Sequence, residues 1–127
     1  MKIVCLTVLL TAAHIAPVIA QGLPQREATC AVTRIARLEH RLQTGPGAFV
    51  PDSGSAVRYA NSGYQVSYEE LPSIAASRTG DAVTLCLIRV PRNCPPGDVR
   101  GRIYTATNMR TLASWTLPDS EHGCGGA

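Results

Sequence analysis

A carboxylate and an imidazole lie close together near the end of the chain, in the segment Asp119-Ser120-Glu121-His122. An imidazole beside a carboxylate can act as a general base or supply part of a metal site. One hypothesis is therefore a small hydrolase or metal-dependent enzyme that uses His122 with Asp119 and Glu121. The alternative is a turn in which the side-chain oxygens of Asp119 and Ser120 bind backbone amides.

A second polar cluster follows the rigid segment Pro95-Pro96-Gly97 and contains Asp98, Arg100 and Arg102. Two arginines spaced by two residues point the same way on extended backbone and could hold an anionic ligand bidentately. Alternatively, Asp98 pairs with one arginine and only pins the loop. We predict a binding face near this loop, formed by the residues Asp98, Arg100, Arg102, Trp115, Asp119 and His122.

The sequence lacks the motifs of common catalytic centres. G-x-S-x-G, H-E-x-x-H and a Walker-type glycine loop are all absent. The 12 basic and 9 acidic residues leave a net charge of +3, which is too small to indicate nucleic-acid binding. We assign no catalytic residue, no cofactor and no metal ligand, so a non-enzymatic binding domain is the leading interpretation.

The first twenty residues have the layout of a cleaved secretory signal peptide. Lys2 supplies a positive start, residues 3–13 are apolar, and Val18-Ile19-Ala20 precedes Gln21. The apolar run is shorter than the about 20 residues that span a bilayer. We therefore expect residues 21–127 to form a single periplasmic or secreted domain, with no membrane-spanning segment after cleavage.

The cysteine count changes when the expected signal peptide is removed. Cys5 is lost and four cysteines remain, an even number that predicts two disulfides in a small exported chain. No C-x2-C pair indicates a zinc site.

Residues 26–43 are predicted to form the one substantial helix. Ala31, Ile35, Leu38 and Leu42 recur at spacings of 4, 3 and 4, which is typical of an apolar helix stripe. Gly45-Pro46-Gly47 would end this helix.

Antiparallel strands are predicted for much of the remaining chain. They cover residues 56–60, 64–70, 82–90, 101–107 and 112–117, with a short helical segment at 72–78. In the second strand, Tyr64, Val66 and Tyr68 are expected on one face and Gln65 on the wet face. The predicted fold class is α+β: one N-terminal helix packed on an antiparallel sheet of four or five strands, with two disulfides.

The last predicted hairpin suggests how the cysteines pair. A turn centred between Met109 and Arg110 places Cys94 and Cys124 at nearly matched distances on the two arms. Matched arms could bring the two Cα atoms to the about 5.5 Å that a disulfide needs. We predict Cys94–Cys124, which leaves Cys30–Cys86 to tie the helix to the central strand.

From residue 64 to 127 the sequence resembles a set of small exported bacterial proteins of unknown function. The similar features are a strand with Cys86, the CPPGD loop, an N-x-R-T turn and the ending W-x-L-P-D-S-x-H-x-C-G-G. The resemblance implies a cell-envelope or secreted location and assigns no activity.

The chain is also similar in class to periplasmic lysozyme inhibitors, which are small, exported, disulfide-linked and rich in antiparallel strands. This adds a further alternative, an inhibitor of a cell-wall hydrolase. The expected partner is a protein or another cell-envelope component, and not a nucleic acid.

Overall fold

The structure, a computed structural model, describes residues 21–126. The signal peptide predicted for residues 1–20 lies outside the described residues. No helix within residues 21–126 is both long and apolar enough to cross a membrane.

Eight strands, one short helix and a final 3-10 turn make up the described part of the chain. The strands are β1 Thr29–His40, β2 Gln43–Gly45, β3 Ala48–Phe49, β4 Ser55–Tyr59, β5 Tyr64–Val66, β6 Ala82–Arg89, β7 Ile103–Asn108 and β8 Ser114–Pro118. The helix α1 is Pro72–Ala75, and the 3-10 turn is Cys124–Gly126. The main sheet is six-stranded and antiparallel in the order β5-β4-β1-β6-β7-β8, while β2 and β3 form a separate hairpin.

The predicted N-terminal helix is wrong, and with it the α+β fold class, because the segment forms β1. Ala31, Thr33 and Ile35 are buried at the spacing of two that a strand face requires. A β-bulge between Ile35 and Arg37 then inserts one residue and moves the inward position to Leu38. The bulge therefore gives Ile35 and Leu38 the spacing of a helix, and Leu42 is 41% exposed.

Strand β1 connects the two halves of the sheet. Its first half, residues 29–34, pairs with β6, and its second half, residues 35–40, pairs with β4. The bulge lies where the partner changes, so the sheet bends at this point. The edge strands β5 and β8 consequently lie against each other, with the apolar core between the two halves.

A buried hydrogen-bond network joins the two edges at Gln65, which was predicted to be wet but is fully buried. Gln65 Oε1 accepts from the Tyr59 hydroxyl at 2.6 Å and from Trp115 Nε1 at 2.9 Å. Gln65 Nε2 donates to the carbonyl oxygens of Tyr104 at 2.7 Å and Leu117 at 3.2 Å. All four hydrogen-bonding positions of the amide are therefore used.

The structure contains both disulfides in the pairing predicted, Cys30–Cys86 and Cys94–Cys124. The reasons behind the pairing differ from those expected. Cys30 and Cys86 lie directly opposite each other on neighbouring strands, so this bond joins strand to strand and not helix to sheet. The β7–β8 turn spans residues 109–113, and Ile103 therefore pairs with Pro118, so the register of the predicted hairpin was displaced.

Two disulfides in a small domain are typical of an extracellular or other oxidising environment.

Candidate functional site

The loop that follows β6 is held by its own ion pair. Asp98 accepts from Arg100 Nε at 2.9 Å and from Arg100 Nη2 at 2.8 Å, and also from the Gly125 backbone N–H at 3.0 Å. The hydrogen bonds from Arg100, with a smaller contribution from Gly125, hold the pKa of Asp98 well below its usual range. The Asp98 side chain is 17% exposed and that of Arg100 is 50% exposed. The ion pair with Arg100 therefore pins the loop, and the Arg100 guanidinium is still accessible to a ligand.

The C-terminal segment fixes the same loop from the other side. Cys124 is bonded to Cys94, with a Cα–Cα distance of 5.3 Å. Asp119 Oδ1 accepts from the backbone N–H groups of Gly101 at 2.8 Å and Arg102 at 3.1 Å. The backbone between the loop and β7 is therefore anchored by a covalent bond and by a charged acceptor.

A surface groove borders this anchored loop, with a volume of about 510 Å³. Apolar groups on its surface include Ile88, which is 50% exposed. Two guanidinium side chains, Arg89 and Arg92, line it together with one carboxylate, Glu27. The groove is lined by Glu27, Ile88, Arg89, Val90, Pro91, Arg92 and Gly101.

The charges that line the groove are unbalanced. Among residues 21–126, neither Arg89 nor Arg92 has an acidic partner within ion-pair distance. Glu27 Oε1 accepts a hydrogen bond from the Val90 backbone N–H at 2.8 Å, so this carboxylate is held against the backbone at the end of β6 and not by an arginine. The groove therefore presents two positive groups beside apolar surface, an arrangement that suits an anionic ligand with apolar parts.

Arg102 lies on the other side of Gly101 and also lacks a carboxylate partner within the described range. Its Nη1 donates to Gln25 Oε1 at 2.8 Å, while its Nε is buried with no hydrogen-bond partner in the structure. Arg100 and Arg102 therefore do not form the bidentate pair considered from the sequence. One is held by Asp98 and the other by Gln25.

The structure divides the residues of the predicted binding face. Asp98, Arg100, Arg102 and Asp119 lie at the anchored loop, but Trp115 is only 5% exposed and belongs to the core. Its indole N–H is bound within the Gln65 network, so Trp115 does not form part of a surface.

His122 is exposed and does not meet the acidic groups beside it in sequence. Asp119 binds the backbone amides of Gly101 and Arg102, which belong to a distant part of the chain and not to a local turn. The Ser120 hydroxyl, expected to bind an amide, instead donates to the His122 carbonyl oxygen at 2.7 Å. Glu121 Oε2 accepts from Arg41 Nη1 at 3.3 Å. Within residues 21–126 no group of three His, Cys, Asp or Glu side chains is arranged to hold a metal ion. The hydrolase and metal hypotheses lack their required geometry here.

Arg89 and Arg92 are the groove residues that sequence reasoning missed. The available signal was their position on either side of Val90-Pro91, where β6 ends and regular pairing with a neighbour stops. Both side chains are exposed there. Comparison of the chain with protein families, with characterised proteins and with solved structures finds no match.

Proposed function

We propose that this protein is an exported, disulfide-stabilised binding domain that recognises an acidic segment of a partner protein. The observation that carries the proposal is the groove of about 510 Å³ lined by Arg89 and Arg92, neither of which has an ion-pair partner among the described residues. The proposed site extends the loop predicted from sequence toward the end of β6.

The lining chemistry favours an acidic peptide segment over a uniformly charged polymer. Arginine forks match the geometry of carboxylates, while Ile88, Val90 and Pro91 supply apolar contact surface. A ligand that alternates carboxylates with apolar side chains would satisfy both. A polymer that carries only anionic groups would leave the apolar part of the groove without contacts.

The anchored loop supports this function because it reduces the cost of ordering the site on binding. Prolines 95 and 96 restrict the backbone, Cys94–Cys124 closes the segment, and Asp119 binds the two amides beside the groove. A site that is already ordered loses less side-chain and backbone entropy when a ligand arrives.

The disulfides and the start of the sequence also bear on where this protein acts. The two disulfides suit an oxidising compartment, and residues 1–20 have the sequence of a signal peptide. The resemblance of residues 64–127 to small exported bacterial proteins points the same way. We place the domain in the periplasm or outside the cell.

A peptide titration tests the groove directly. The probe is a fluorescent peptide that alternates Glu with Leu, and its affinity is measured by anisotropy against the oxidised protein. The double variant Arg89→Gln/Arg92→Gln should weaken binding about a hundredfold or more, since each of the two charge-assisted hydrogen bonds contributes about 1.5–3 kcal/mol. Added salt should weaken binding to the unaltered protein.

Arg78→Gln is the matched control, because Arg78 is exposed and has no ion pair within residues 21–126 but lies away from the groove lining. It should leave the affinity unchanged. Equal losses from the control and the double variant, or no binding of the acidic peptide, would reject the proposed site.

Inhibition of a cell-wall hydrolase is the second candidate. Glycoside hydrolases carry a pair of carboxylates in the cleft, and the half-exposed Arg100 on its disulfide-anchored loop is suited to enter such a cleft. The test is the clearing of a peptidoglycan suspension by a muramidase. We expect the unaltered protein to slow the clearing. The Arg100→Gln variant should no longer slow it, whereas the Arg78→Gln variant should slow it as much as the unaltered protein does. Clearing that is unaffected by excess protein excludes this candidate.

A further inference from the structure

A second concave site lies at the other end of β1, between the sheet and helix α1. Its volume is about 220 Å³. The C-terminal end of β1 forms one wall, and α1 and β3 contribute the others. The residues that line it are Leu38, Glu39, His40, Phe49, Ser55, Glu70, Ile74 and Ala75.

The size and walls of this pocket set the kind of molecule that would fit. A cavity of about 150 Å³ lined by apolar side chains takes up benzene, whereas drug-sized ligands occupy about 300–1,000 Å³. The present pocket falls between these values. The side chains of Leu38, Phe49 and Ile74 give it apolar walls. A compact ligand with one ring and a short chain fits this volume.

A carboxylate with a free oxygen lies at the mouth of the pocket. His40 Nδ1 lies 2.7 Å from Glu70 Oε1, and both side chains are about 40% exposed. A carboxylate only accepts, so His40 Nδ1 carries the hydrogen in this contact. Glu70 Oε2 has no hydrogen-bond partner among residues 21–126. Glu70 Oε2 is therefore available to accept a hydrogen bond from a ligand.

A further carboxylate lies in the wall but is already occupied. Glu39 is 10% exposed, and its two oxygens contact Arg58 Nε at 3.1 Å and Arg37 Nε at 3.4 Å. The lining itself contains two carboxylates and no arginine or lysine. Because Arg37 and Arg58 balance Glu39, the free oxygen of Glu70 is the group that favours a positively charged ligand at this mouth.

We propose that this pocket binds a compact primary amine with an apolar body. The ring lies against Phe49 and Ile74, and the ammonium group donates to Glu70 Oε2. The pocket and the arginine-lined groove adjoin opposite ends of β1 and have opposite lining charge. The two sites are therefore tested independently.

The test is an NMR titration of the oxidised protein with 2-phenylethylamine as the probe. We expect saturable shifts of the backbone amides of residues 38–40, 70 and 74–75. 3-Phenylpropionate carries a similar ring with the opposite charge and should bind at least tenfold more weakly. Equal binding of the two probes, shifts confined to other residues, or no saturable shift would overturn the proposal.

A pair of neighbouring glutamates supplies the matched variants. Glu70→Gln removes the free carboxylate oxygen and should weaken amine binding about tenfold, as expected for a charge-assisted hydrogen bond. Glu69→Gln removes the same charge at an exposed position outside the lining and should preserve affinity. Amide spectra of both variants report whether the fold is retained. Equal weakening by the two variants would show that charge alone acts and would overturn the assigned contact.

Discussion

The Gln65 amide is the polar centre of the interior. It bonds to the Tyr59 hydroxyl and the Trp115 indole on one side, and to two backbone carbonyls on the other. Burial raises the pKa of Tyr59, and the hydrogen bond with Trp115 opposes this effect only in part. Because these groups belong to β4, β5, β7 and β8, one side chain holds the edges of the sheet together.

Gln65→Leu should destabilise the protein by about 3 kcal/mol or more, because several buried polar groups lose their partner at once. The free energy of unfolding from urea denaturation, with the disulfides intact, measures the effect. Gln43→Leu, at an exposed position on β2, is the control and should change stability by no more than about 0.5 kcal/mol. Similar losses in both variants would show that the network contributes little.

Asp81 is the other buried acceptor with a structural role. It takes two hydrogen bonds from Arg110, at 2.8 and 2.9 Å, and one from Asn108 Nδ2 at 2.8 Å. These bonds, with Arg110 as the largest contributor, lower the pKa of Asp81 far below its ordinary value. The carboxylate thereby fixes the β7–β8 turn to the start of β6.

Acid should therefore weaken the fold. A carboxyl group whose pKa is lowered by folding stabilises the protein above its unfolded pKa of about 3.9, and this stabilisation is lost as the pH falls further. We expect the free energy of unfolding to decrease from about pH 5 to pH 2 and Asp81→Asn to flatten that decrease. Urea denaturation of the unaltered protein and of the Asp81→Asn variant across this pH range measures the free energy of unfolding of each. Identical slopes would contradict the role of Asp81.

At the scale of elements, strands β6 and β1 show which parts of the fold could be predicted from the sequence and which could not. Strand β6 lies inside the sheet, as predicted, and its buried residues Val83, Leu85 and Leu87 alternate without interruption. In β1 the bulge breaks the alternation, and the resulting spacing is indistinguishable from that of a helix. The bulge lies next to the change of partner from β6 to β4, and a single sequence reveals neither feature.

Residues that are close in the chain could be grouped from the sequence, whereas residues that meet only in the folded chain could not. The anchored loop was found because prolines, glycines and charged residues cluster locally in the sequence. Gln65 was misplaced because the sheet curls until β5 meets β8, which buries the face that alternation assigned to solvent. The pocket beside α1 was missed because His40 and Glu70 are thirty residues apart and meet only in the folded chain.

Only glycine fits at position 54, immediately before strand β4. Its φ is +112°, and a Cβ at this position would overlap the carbonyl oxygen of Ser67. Gly54→Ala should therefore destabilise the protein by about 2–4 kcal/mol, through both the backbone conformation and the clash.

Gly47→Ala is the control for the clash. Its φ is +72°, with no heavy atom within 4 Å of the added Cβ, so only the backbone penalty of about 1–2 kcal/mol applies. Thermal unfolding of the two variants separates the contributions. A Gly54→Ala variant as stable as Gly47→Ala would contradict the close approach of Gly54 to Ser67.

At the scale of the whole molecule, the bent sheet carries two sites of opposite charge that adjoin opposite ends of its longest strand. The arginine-lined groove lies beside the disulfide-anchored loop, and the carboxylate-bearing pocket lies beside α1. The hydrogen bonds of Gln65 and those of Asp81 stabilise the part of the sheet that lies between the two sites. Loss of either site should therefore leave the fold intact, because neither set of groove or mouth residues belongs to these networks.

The most direct test of the central claim is a map of backbone amide shifts during titration of the oxidised protein with the alternating Glu-Leu peptide. We expect saturable shifts centred on residues 27, 88–92 and 101, which diminish as salt is added. Shifts centred elsewhere, such as the β2–β3 hairpin or the exposed tip of the β7–β8 turn, would contradict it, as would the absence of any saturable shift.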